Sequence, residues 1–170
     1  MKLYMMRHAI AVPKGTIGFA QDAQRPLTQE GHIQARQVAK GLKYLKLDIS
    51  CIASSPYVRA MQTAEDVAKV LGYSMPIKEM PSLRSEASPS ETSLALKSFA
   101  EHNAVLFVGH EPHLTSWIEQ LAASFGNLNC VLKKAGTACI EIEKTPPSAG
   151  SGVLRWLMSP KHLALIGRAE

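Results

Sequence analysis

The stretch Leu3-Tyr4-Met5-Met6-Arg7-His8-Ala9 decides how the rest of the chain is read. Four apolar residues run straight into an Arg-His pair. A strand this short needs no such ending for packing. The pair sets a permanent cation beside an imidazole that can act as nucleophile or acid–base, at the carboxyl end of a first strand. In open α/β sheets that edge is where ligands bind.

Working outward, the same arrangement recurs. Residues 49–53 read as a second short strand that enters the turn Ser54-Ser55-Pro56. Residues 104–108 form an unbroken apolar run, the mark of the most buried strand, and end in Gly109-His110. Helical periodicity fills the gaps between them. Thr28 caps a helix with Ala35, Val38, Ala39, Leu42 and Leu45 on one face. A second helix carries Ala60, Ala64, Val67 and Leu71 and stops at Gly72. Ser88-Pro89-Ser90-Glu91 has the cap, the first-turn proline and the returning glutamate of a third helix start. Leu114, Trp117, Ile118 and Leu121 mark a fourth.

Residues 75–80 read as an edge strand, because Pro76 cannot donate to a ladder. Residues 137–143 and 153–158 read as a closing antiparallel pair joined by a mobile Pro/Gly/Ser-rich hairpin loop. Strand–helix alternation predicts a three-layer α/β/α sandwich with a mostly parallel central sheet and an antiparallel C-terminal strand, in one domain spanning 1–170.

Composition narrows the function. The chain has 170 residues, 46% of them apolar, and a formal net charge of +5. No run of about 18 apolar residues is present to cross a membrane, and the first apolar run is too short for a signal peptide. Lys and Arg are dispersed and aromatics make up only 6%. This favours an anionic substrate over nucleic acid, which calls for a basic stripe interleaved with aromatics. Cys51, Cys130 and Cys139 form no CxxC pair and read as reduced thiols of a cytoplasmic protein.

In a parallel sheet the three strand ends share one edge. Arg7, His8, Arg59 and His110 then meet where helix starts also point their N–H groups, a place that favours an anion. Paired guanidiniums around a tetrahedral oxyanion suit phosphate, since the planar fork grips two oxygens and keeps its charge. The rival for Arg59 is a surface ion pair with Glu65 or Asp66. His110 and His113 have metal-ligand spacing, but Pro112 intervenes and no third ligand is near. There is no GxxxxGK loop and no dense carboxylate cluster.

Taken together, Arg7-His8-Ala9, Ser55-Pro56-x-x-Arg59-Ala60-x-Gln62-Thr63-Ala64 and Val108-Gly109-His110-Glu111-Pro112 resemble the histidine phosphatase superfamily. The resemblance is nearest to its SixA-like phosphohistidine phosphatase branch. Arg25-Pro26-Leu27-Thr28-x-x-Gly31 and Trp156-Leu157-Met158-Ser159-Pro160 match that branch as well. Ala9 stands where the superfamily more often has Gly, and the long helical insertion of the mutases is missing.

The resemblance implies a phosphoglycerate mutase-like fold and a metal-free, cofactor-free hydrolase. It makes His8 the nucleophile, with Arg7, Arg59 and His110 as ligands of the phosphoryl oxygens. Asp22 and Glu86 are the two candidate general acids. The implied partner is a phosphohistidine-carrying protein domain, such as the phosphotransfer domain of a sensor kinase, with phosphate as product. Phosphatase action on small esters and a non-catalytic phosphoprotein-binding module are the alternatives.

Overall fold

The computed structural model describes residues 1–123 and 128–169. Strands β1 (Lys2–Arg7), β2 (Cys51–Ser54), β3 (Lys78–Glu79), β4 (Ala104–Gly109), β5 (Thr137–Glu141) and β6 (Val153–Met158) form one sheet in the order β3-β2-β4-β1-β5-β6. The first four run parallel; β5 is antiparallel to β1, and β6 is antiparallel to β5. The helices are α1 (Gln29–Tyr44), α2 (Val58–Leu71), α3 (Pro89–Ala95), α4 (His113–Ala122) and α5 (Pro160–Ile166).

Side chains alternate across a strand, so β1 serves both faces of the sheet. Tyr4 and Met6 join Val38, Leu42, Ala64, Val67 and Leu163 beneath α1, α2 and α5. Leu3 and Met5 join Phe107, Leu114, Trp117 and Ile118 beneath α4. Two cores on either side of one sheet make the three layers. Register then levels the strand ends: Arg7 lies opposite Gly109, and Ser54 opposite Val108.

Local signals explain most of the element boundaries. Thr28 accepts from Gly31 N at 3.0 Å as the cap of α1, and Ser88 and Glu91 close a reciprocal capping box on α3. At Gly31 a Cβ would run into the Ile10 carbonyl, so only glycine lets the segment after β1 lie against the first turn of α1.

Two expectations need correction. The third strand is confined to Lys78–Glu79 rather than 75–80, because Pro76 lacks the N–H that pairing would require. The loop between β5 and β6 is anchored on the end of α4, where Gly150 N donates to Gln120 O and Gly152 N to Leu121 O. The structure also adds α5, where Ser159 accepts from His162 N and Pro160 opens the first turn. With seven residues, α5 is too short for periodicity to announce it.

Candidate active site

A cleft of about 620 Å³ opens at the level of the strand ends, lined in part by Arg7, His8, Arg59 and His110. His8 is 7% exposed, and its backbone N–H donates to Gly109 O at 2.9 Å. The ring Nδ1 lies 2.7 Å from Ala9 O. A carbonyl can only accept, so the proton sits on Nδ1 and Nε2 keeps its lone pair. The Arg59 Nε–H points at that lone pair from 3.2 Å. Burial, reinforced by the charges of Arg59, Arg7 and Lys134, lowers the His8 pKa to about 3, although the bond to Ala9 works the other way. The imidazole is therefore neutral near pH 7.

His110 packs beside it with ring centroids 5.1 Å apart. Its Nε2 lies 2.9 Å from Ser55 Oγ, while its buried Nδ1 has no partner among the described residues. Burial, then Arg59 and His8, lowers its pKa to about 2. Arg7 is held by a bond from Nη1 to Leu132 O at 3.1 Å, and its buried Nε is likewise unpartnered. Above them, the loop before β5 crosses the end of β1, with Ala135 N donating to Arg7 O and His8 O. That crossing brings Lys134 to the cleft.

Arg59 is 4% exposed and does not pair with Glu65 or Asp66. It donates through Nη1 to Asp22 O at 2.7 Å and through Nη2 to Asp22 Oδ2 at 2.8 Å. Its guanidinium sits 5.1 Å from the centroid of the Tyr57 ring. Asp66 is taken instead by His32 and Arg36.

The two candidate acids part company. Asp22 lines the cleft but is clamped between Arg59 and Arg25, the latter donating from Nε at 2.9 Å and Nη2 at 2.7 Å. Partial burial pushes the Asp22 pKa up, yet the bond from Arg25 and the charges of both arginines outweigh it, and the net shift is downward. Glu86 is exposed and does not line the cleft; it accepts from Tyr57 OH at 2.8 Å and Ser85 Oγ at 2.9 Å. Its pKa is also lowered, since those bonds outweigh the slight burial that raises it. Another carboxylate, Glu111, reaches the cleft and accepts from Thr115 N and Oγ1.

His113 turns away from His110 and binds Thr92 Oγ1 and Ala87 O. Among the described residues, no group of three or more His, Cys, Asp or Glu side chains is placed to hold a metal ion. Lys14, Tyr57, Ser85 and Lys134 also line the cleft and were not singled out from sequence. Tyr57 lies inside the Ser-Pro-x-x-Arg motif and could have been found there. The lysines sit on loops that only the tertiary fold brings together.

The family model of the histidine phosphatase superfamily (branch 1) matches residues 3–88, and the chain belongs to that superfamily. Membership indicates phosphatase, that is hydrolase, activity. Among individual relatives, an uncharacterized protein of Picosynechococcus sp. is 34% identical over 137 residues, which is 80% of this chain and 82% of that one. The phosphohistidine phosphatase SixA of Escherichia coli is 27% identical over 167 residues, covering 97% of this chain and 98% of its own length. A solved structure of the protein histidine phosphatase SixA complexed with tungstate superposes with a TM-score of 0.82 at 27% identity, covering 96% of this chain and 99% of that one. A phosphoglycerate mutase from Bacillus anthracis, 16% identical, shares the fold with a TM-score of 0.68 over 99% of this chain and 96% of its own.

Proposed function

We propose that the protein is a phosphohistidine phosphatase acting on a protein-borne phosphohistidine in the cytoplasm. The unprotonated Nε2 of His8, facing the Arg59 guanidinium in a cationic cleft, carries this reading. Nε2 attacks phosphorus, and the P–N bond to the substrate imidazole breaks. The substrate ring, protonated on its other nitrogen, leaves as a neutral imidazole. Water then attacks the phosphoryl-His8 bond, phosphate departs, and His8 regains its lone pair. Arg7, Arg59 and the unpartnered Nδ1 of His110 hold the phosphoryl oxygens and stabilise the charge that develops on them. Similarity to SixA over nearly the full length supports the same reading.

The state of the carboxylates favours this substrate over alkyl esters. Asp22 is held as an anion by two arginines, Glu86 does not line the cleft and accepts from Tyr57 and Ser85, and Glu111 uses both oxygens as acceptors. A leaving alkoxide needs a strong acid. A leaving imidazole, with an ordinary pKa of about 6.5, does not, and transfer between two imidazoles is nearly balanced.

The test is phosphate release from a phosphohistidine-carrying protein domain in EDTA, with wild type and His8→Ala side by side. Turnover by the wild type that disappears in His8→Ala is the expected result. Cleavage of simple phosphate esters but not of the phosphodomain would replace this reading with the small-ester one. Inactivity on both would leave the binding module.

A further inference from the structure

Two loops flank the cleft, and each carries a lysine into it: Lys14 on the loop after β1, and Lys134 on the loop before β5. Three residues from each lysine stands an apolar side chain in full view of solvent. Ile17 is 99% exposed and Val131 is 72% exposed, the two most exposed large hydrophobics among the described residues. Single exposed apolar residues need no explanation. Two extremes, on the two loops that border one cationic cleft, form a pattern.

Ile17 is held outward by tight local structure rather than by fraying. Thr16 N and Oγ1 donate to Pro13 O, and Phe19 N donates to Thr16 O at 3.2 Å. Gly15 and Gly18 adopt φ of +84° and +96°, conformations closed to most side chains. The base of this loop is referred to the nucleophile by a chain of bonds: Val12 O accepts from Arg25, Arg25 holds Asp22, Asp22 holds Arg59, and Arg59 meets His8. The loop tip therefore has a set position relative to Nε2.

We infer that the two loops are a docking platform for a folded phosphohistidine-bearing domain, acidic beside the phosphohistidine and apolar in the ring outside it. The inference rests on the phosphohistidine reading above and names the surface that selects the partner. A small phosphorylated molecule would be held within the cleft and would touch neither Ile17 nor Val131. The lysines meet the acidic inner zone of the partner and speed encounter. Ile17 and Val131 are buried only when a protein surface closes over the cleft.

The experiment compares kcat and KM on a phosphohistidine-labelled helical phosphotransfer domain with those on free phosphohistidine, for wild type, Ile17→Asp and Val131→Asp. Both variants should raise KM for the domain about tenfold, leave its kcat in place, and leave turnover of free phosphohistidine unchanged. Added salt should raise KM for the domain as well. Unchanged KM in both variants, or an equal loss on both substrates, would overturn the docking surface and leave the phosphohistidine reading standing. Wild-type cleavage of free phosphohistidine but not of the domain would also overturn it. Wild-type inactivity on both substrates would overturn the two readings together. A wild-type dimer in sedimentation that Ile17→Asp dissolves would assign the surface to self-association instead.

Discussion

At the scale of single residues, the site is an exercise in keeping histidines neutral among arginines. An ordinary histidine begins to lose its nucleophilic lone pair below about pH 6.5. His8, lowered to about 3, keeps it. The rate of phosphoryl-enzyme formation should therefore not fall from pH 8 down to pH 5 in single-turnover measurements; a fall centred near pH 6.5 would contradict the neutral nucleophile. Removal of either proposed oxyanion donor, in Arg59→Ala or His110→Ala, should slow turnover by on the order of 10²–10³. Asp22→Asn tests whether that carboxylate is a clamp or an acid. As a clamp on Arg59 and Arg25 it should reduce the rate while leaving the shape of the pH profile intact. Loss of an alkaline limb in the variant would make Asp22 the acid after all.

At the scale of elements, legibility in the sequence followed the range of the signal. The caps at Thr28 and Ser88 act over three residues, and the structure has them as read. The strand ends that gather Arg7, His8, Arg59 and His110 follow from parallel pairing, a rule that needs only strand order. Lys134 was hidden, because its loop reaches the cleft by crossing β1, whose partner residues lie far away in sequence. α5 was hidden for want of length. The Arg25-to-Gly31 motif, visible as a resemblance, acquires a physical cause. Ile10 O accepts from Thr28 N at 3.0 Å, and Gly31 leaves room for that carbonyl. Gly31→Ala should force the two segments apart and cost about 1–3 kcal/mol in denaturant unfolding. It should also lower turnover, since Ala9 and His8 are part of the displaced segment.

At the scale of the whole molecule, the buried imidazoles set a direction for stability. His8, His110 and His113 all have lowered pKa values in the folded chain, with burial the leading cause. The unfolded chain binds protons at these positions first, so stability is complete above about pH 6.5 and is lost as pH falls from there toward the folded values. His8 and His110 should each contribute on the order of 1–2 kcal/mol to the loss by pH 5. Urea midpoints at pH 7.5 and pH 5 would measure it, and a His110→Asn variant should flatten the difference.

The place of β1 in the sheet also bears on how the protein is made. The strand that carries the proposed nucleophile is made before its sheet neighbours, since β4 and β5 follow it by about a hundred residues and more. Until those arrive, β1 has nothing to pair with, and His8 has neither the Gly109 carbonyl nor the overlying loop to hold it. A nascent chain stopped short of β4 carries the reactive histidine without the site. The site is assembled only once β4 and β5 have been made, and folding waits on long-range pairing, the slow step of such topologies.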